Sequence, residues 1–263
     1  MFTAVLGLSV AAQQPIDDTG TGAPQPAAAP VRLTDRPQHP NEKYFFKNLA
    51  LDQKAIWTSP AHIGGDDLKW LVPSSGIATG LFVTDPGSSW GMASYHPNAW
   101  QDVSNYGLGA AFGTTAAMYA WGHLTHSERS RETGILATEA MIGVLPVQFA
   151  IRGATGRLRP YQSNFQNDFF AGGSSFPSNH SALAWAFASV VAHEYPNIYA
   201  QLGAYGLASA VSLSRVAASQ HFLSDVFVGG LIGIAAGALV PRLMSRDIKI
   251  VPITNGVSVV GAF

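Results

Sequence analysis

Three short stretches of this chain carry residue types that suit chemistry on an anion. Arg152 and Arg159 bracket GATGRL and precede Pro160. Pro177, Ser178, Asn179 and His180 form the second stretch. Ser214-Arg215, then five residues, His221, three residues and Asp225 form the third. Arginine presents a planar fork of donors matched to phosphate oxygens. A helix start adds unpaired N–H groups and a positive dipole end. Four residues apart, His221 and Asp225 share a helix face and can hydrogen-bond. A carboxylate on one ring nitrogen fixes the tautomer and leaves the other as nucleophile or base. His180, across the site, is then free to act as a general acid. Together these groups define a tetrahedral oxyanion site that needs no metal.

Something must bring the three stretches together, and the apolar segments between them suit that task. Six run near 69–84, 106–124, 134–151, 180–195, 198–214 and 224–244, rich in Ala, Gly, Leu, Val and Ser. Polar breaks separate them: TDPGSSWGMASYHPNAW, THSERSRET, the long run from Arg152 to Pro177, and HEYPN. The pattern predicts an all-α fold, an antiparallel bundle of about six apolar helices. In such a bundle one helix ends where the next begins. Arg152, Arg159, His180, Arg215, His221 and Asp225 then meet at one end. Thirty-three residues separate His180 from Ser214. That suits one helix down and one back, each about 15 residues or 22 Å long.

The flanks differ. MFTAVLGLSVAAQQP reads as a secretory signal over 1–12, with Val10-Ala11-Ala12 as a small-residue cleavage site. Residues 13–40 are Pro- and Ala-rich without periodicity and read as a disordered linker. NEKYFFKNLALDQKAIW reads as an amphipathic helix whose Phe45, Phe46 and Trp57 pack on the bundle or meet lipid. The helical domain is set at 41–245. The tail, 246–263, carries two β-type runs around Asn255-Gly256 and reads as a small C-terminal hairpin.

Composition excludes several function classes. The 263 residues carry no cysteine, which removes disulfides, thiolate metal sites and cysteine nucleophiles. A net charge of −1 advertises no nucleic-acid partner. His123, His126 and Glu128 lie close together in a polar turn, but no fourth ligand accompanies them, and no metal is assigned.

The three motifs resemble those of the phosphatidic acid phosphatase type 2 / vanadium-dependent haloperoxidase superfamily, over roughly 106–244. The resemblance implies a metal-independent phosphatase acting on phosphate monoesters through a phosphohistidine. It implies that Arg152, Arg159, Ser178, Asn179 and Arg215 bind phosphoryl oxygens. His180 would protonate the leaving alkoxide, His221 would attack phosphorus, and Asp225 would orient His221. Two positions depart from the family pattern. Arg152 stands for Lys, replacing a point charge by a fork. Asn179 stands for Gly, and Asn tolerates positive φ better than most residues.

No cofactor is implied for a phosphatase. Vanadate would be an inhibitor, or the cofactor in the alternative haloperoxidase reading. A non-catalytic anion-binding bundle is the third reading. The expected partner is a phosphate ester: a lipid phosphate, a polyprenyl diphosphate or a small soluble ester. Only 226–244 is comfortably apolar over a spanning length. The chain is therefore expected to be exported to a bacterial cell envelope, periplasmic or membrane-associated, with a six-span membrane protein as the alternative.

Overall fold

A computed structural model of the chain describes residues 31–32, 42–245, 249–253 and 256–260. The signal and most of the linker read from the sequence lie outside these residues. Seven α-helices follow one another: α1 Phe45–Thr58, α2 Gly65–Met92, α3 Pro97–Thr125, α4 Glu128–Thr155, α5 Asn179–Glu194, α6 Ile198–Ala217 and α7 Leu223–Ser245. The all-α bundle expected from the apolar runs is therefore the observed architecture, with α1 as an addition to the six.

Local chemistry sets several ends. Pro97 opens α3, where its missing N–H costs nothing. The Asn197 side chain accepts from the Ala200 N–H at 3.0 Å and starts α6. The HEYPN break falls where expected, between α5 and α6. One break does not. TDPGSSW was read as polar punctuation, yet α2 runs through Pro86 to Met92. Asp85 and Ser89, one turn apart, are both buried there, and tertiary burial outweighs the local helix breakers.

Helix α5 is the centre of the molecule. Ala182, Ala184, Ala186, Phe187, Ala188 and Val190 are all buried in its one core cluster. Helix α7 lies directly against it. A Cβ on Gly229 would stand 2.5 Å from the Ser178 carbonyl oxygen, and one on Gly233 would stand 2.3 Å from that of Ala182. Only glycine allows that approach, and it brings the start of α7 onto the start of α5. The tail pairs as expected: β2 Lys249–Ile253 runs antiparallel to β3 Gly256–Val260. Gly256 is itself paired, with Ile253, so it belongs to the strand rather than to the turn. The short strand β1, Val31–Arg32, pairs with β2, so these two residues of the expected linker are ordered.

The polarity of α2, and in part that of α1, is inverted, although Phe45 and Ile56 of α1 are half-buried and its Lys47 and Lys54 are exposed. On α1, Asn48 and Asp52 are buried while Phe46 and Trp57 are exposed. The expected packing of its aromatics on the bundle therefore fails for those two. Gln53 donates to the Gly143 carbonyl of α4 at 2.8 Å, so polar groups make this contact. On α2 the only buried side chains among the described residues are Asp85 and Ser89, while Trp70, Val72, Val83 and Trp90 face outward.

Candidate active site

The end of α4, the loop 156–178, the start of α5, the end of α6 and the start of α7 converge. Arg152, in the last turn of α4, donates from Nε at 3.1 Å and Nη2 at 3.0 Å to the Pro177 carbonyl. One edge of its fork thus holds the loop that leads into α5, which a single ammonium could do only with one N–H. Arg159 Nη1 donates to Gln220 Oε1, and Arg215 Nη2 donates to the same oxygen at 3.4 Å. A neutral amide oxygen thereby sits between two cations. Arg215, nearly fully buried, also donates from Nη1 to Ser104 Oγ of α3 at 3.2 Å. Its Nε has no partner.

Helix α5 opens toward these arginines. Ser178 is its N-cap, yet the side chain makes no capping bond, and its buried Oγ has no partner. The first-turn amides therefore remain without a side-chain acceptor, as an anion site requires. Asn179 is the first helical residue and is not among the positive-φ positions. The left-handed backbone that Asn was expected to tolerate is not needed here. His180 Nε2 lies 3.0 Å from Asn105 Oδ1 of α3. Burial, then Arg215, His221, Arg152 and Arg159, hold His180 down to about 3.

His221 is buried and precedes α7 rather than lying on it, so a shared helix face does not explain its closeness to Asp225. Asp225 instead reaches back to accept the Phe222 N–H at 2.9 Å, the third-residue half of a capping box. This turn places His221 Nδ1 2.8 Å from the Ser175 carbonyl oxygen and 3.5 Å from Asp225 Oδ2. The peptide carbonyl, rather than the carboxylate, is the close acceptor of Nδ1–H. Asp225, the more distant acceptor, acts on the ring through both hydrogen bonding and charge. With Nδ1 so engaged, Nε2 is the nitrogen left for chemistry. Burial lowers His221 to about 4 against the upward pull of Asp225, so the ring is neutral at neutral pH.

Residues that the motifs did not flag complete the site. Arg157, read as spacer, is fully buried. Its Nη1 donates to Asp225 Oδ1 at 2.6 Å and Ser224 Oγ at 2.7 Å, and its Nη2 to Asp85 Oδ2 at 2.7 Å and to Asn167 Oδ1. The rings of Phe222 and Phe169 lie 3.9 and 4.8 Å from its guanidinium carbon. Ser175 Oγ donates to Asp225 Oδ2. A buried arginine in an apolar bundle was the available signal, but nothing in the chain order points to Asp85. The end of α2 and the segment that joins it to α3 also lie at this end. Trp90 packs edge-on against Phe165 of the loop, and Ser94 N–H donates to the Ala217 carbonyl at 2.9 Å.

The turn at the other end behaves differently. His123 stacks on Tyr119 and His126 caps α3 in the left-handed region. Among the described residues, no group of three or more His, Cys, Asp or Glu is placed to hold a metal ion.

The fold is a helical bundle, and at one end of it Arg152, Arg159, Arg215, His180 and His221 come together. Residues 133–249, somewhat less than half of the chain, match the family model of the PAP2 superfamily. The lipid A 1-phosphatase of Porphyromonas gingivalis is 28% identical over 141 residues, covering 52% of this chain and 28% of that protein. The chain thus spans little more than a quarter of the curated relative it matches. Among solved structures, Aquifex aeolicus LpxE is 21% identical with a TM-score of 0.41, covering 56% of this chain and 85% of that one. A Bacillus subtilis transmembrane PAP2 type phosphatidylglycerolphosphate phosphatase is 18% identical with a TM-score of 0.42, covering 76% and 94%.

Proposed function

We propose that this protein is a phosphatase that hydrolyses phosphate monoesters, without a metal, by transfer to His221. The observation that carries the reading is a set of unspent buried donors. Arg215 Nε and Ser178 Oγ have no partner among the described residues, and buried polar groups are almost always paired. A phosphoryl group would satisfy them together with the first-turn amides of α5 and the charges of Arg152 and Arg159.

The chemistry then follows from the geometry. His221 Nε2 attacks phosphorus, forming an N–P bond as the P–O bond to the alcohol breaks. His180 gives its proton to the departing oxygen. Water then attacks phosphorus, returns a proton to His180 and releases His221. Asp225 offsets the positive charge that develops on the ring. Burial first, and then the arginines, disfavour a charged His180. A bound phosphate offsets those cations, so the substrate itself raises the acid toward working range.

The inverted polarity of α2, and in part of α1, favours an apolar surrounding. Trp70, Val72, Val83 and Trp121 face outward while Asn48, Asp52 and Asp85 face inward. Helix α4, and α7 over Leu223–Val240, are long and apolar enough to cross a membrane by length and composition. A membrane location and a lipid-borne phosphate ester suit that surface, as does the phosphatase named in the Porphyromonas gingivalis relative. An exported or periplasmic placement of the pocket completes this reading.

The test is phosphate release by detergent-solubilised protein from lipid and soluble esters. We expect release that chelators leave unchanged and vanadate inhibits, with lipid esters preferred. An acid-labile, base-stable phosphoryl label on the wild type, absent from His221→Ala, would identify the intermediate. Full release by His221→Ala would overturn the mechanism.

A further inference from the structure

Asp85 is the least expected buried group in the molecule. Helix α2 has 28 residues, and among the described ones only Asp85 and Ser89 are buried. Neither is apolar; the apolar hold on this stretch is the half-buried Phe82, which packs on Phe169 and Phe176. Burying a carboxylate is costly unless it is paired and hydrogen-bonded, and Asp85 is fully provided for. It accepts from the Ser224 N–H at 3.1 Å, from Ser224 Oγ, and from Arg157 Nη2 at 2.7 Å.

Arg157 continues the line. The nitrogen that does not serve Asp85 serves Asp225 Oδ1 at 2.6 Å, and the other oxygen of Asp225 lies 3.5 Å from His221 Nδ1. The three charged side chains, Asp85, Arg157 and Asp225, are each fully buried. Aromatic rings flank the guanidinium, with Phe222 at 3.9 Å, Phe169 at 4.8 Å and Phe82, itself from α2, at 5.5 Å. Asn167 donates to the Phe82 carbonyl at 2.7 Å and accepts from Arg157. Nearly every strut around Arg157 therefore leads either to α2 or to the start of α7.

We propose that Asp85 and Arg157 are positioning residues: α2, seated through Asp85, fixes the guanidinium that orients Asp225 and sets how much of its charge reaches His221. The inference rests on the phosphatase reading above for its kinetic expression. Seating of α2 is then a condition of turnover, although α2 gives the pocket no group that touches phosphate.

The charges around His221 make the idea separable from a merely structural role. Arg215 of α6, Arg159 of the loop, His180 of α5 and Asp225 of α7 act on it directly, while Arg157 of the loop and Arg152 of α4 act on Asp225. Tyr161 lies by Arg215, and α3 presents the uncharged Ser104 and Asn105. Removing the Arg157 cation leaves the His221–Asp225 pair more avid for a proton. Removing the Asp85 anion makes it less so. The two changes must move the titration in opposite directions.

The experiment compares Asp85→Asn, Arg157→Gln and Ser224→Ala with wild type, on protein whose thermal unfolding remains cooperative. The NMR titration of His221, assigned with His221→Ala, is read without substrate. Phosphate release is read across pH. We expect Arg157→Gln to raise the His221 midpoint and Asp85→Asn to lower it. We expect kcat to fall roughly ten- to hundredfold in both, the scale of outer-shell changes, with KM within about twofold. Ser224→Ala keeps the charges, so its kcat should fall less and its midpoint should stay. It also serves where either charged variant fails to fold: a loss of kcat there equal to a general loss of folded protein would refute positioning. Midpoints that do not move, or that move the same way in both charge variants, overturn the proposal. A wild type that titrates as described yet releases no phosphate overturns the phosphatase reading and leaves the coupling standing.

Discussion

The two ends of the bundle use the same residue types to opposite effect. At the α3–α4 turn, Arg131 meets Glu42 at 3.1 Å and Glu128 at 2.6 Å, while Arg129 donates to the Glu194 carbonyl and lies 4.7 Å from the Tyr195 ring centroid. Those guanidiniums are matched by acceptors near the surface. At the other end, among the described residues, Arg152, Arg159 and Arg215 donate only to neutral oxygens, from Pro177, Gln220 and Ser104, and donors remain unused. Arg131, held by two carboxylates, is part of a scaffold, and Arg129 is spent on a carbonyl and a ring. Three clustered arginines that share no carboxylate suit the anion site proposed above. The one arginine at the active end that is paired, Arg157, is set back behind the histidine.

The largest effect expected from breaking this contrast is at the proposed nucleophile. His221→Ala should reduce phosphate release by a thousandfold or more, measured as kcat, without loss of the folded bundle by circular dichroism. Next is the buried unpaired cation. Arg215→Ala should cost roughly a hundredfold in kcat/KM, and inhibition by vanadate should weaken alongside. If only one of the two changes, Arg215 is not an oxyanion ligand.

The third expectation concerns pH. His221 titrates near 4 in the fold, against 6.5 when free. The unfolded chain therefore takes up the proton first, so stability falls as pH drops from about 6.5 toward 4. The loss approaches about 3 kcal/mol for this group and levels off below its folded value. Activity that needs the neutral ring should fall over its own titration, near pH 4. Thermal melts across this window, compared with His221→Ala, isolate the contribution. The smallest effect belongs to the opposite end. Arg131→Ala should cost no more than about 1 kcal/mol in stability and leave kcat unchanged, because its pairs lie near the surface. A large drop in kcat there would erase the distinction between the ends.

Much of the fold was legible because apolar runs and short polar breaks report helices directly. The HEYPN turn and the tail hairpin fell where local chemistry put them. The end of α2 did not, since Asp85 and Ser89 are held by residues far along the chain. The exposed faces of α1 and α2 were hidden for a related reason. An apolar stripe on a helix does not say whether it points to a core or to an apolar solvent.

The sequence by itself determined which chemistry was available: the residue types and spacings of three motifs, at the ends of helices whose lengths bring those ends together. Tertiary structure alone decided how those groups are wired. It gave the tautomer of His221 to the Ser175 carbonyl, tied Asp225 to Arg157, and brought Asp85 across 72 residues to the same guanidinium. Spacing along one helix is fixed by 3.6 residues per turn. Contacts between helices depend on which faces the whole bundle buries, and no local pattern carries that information.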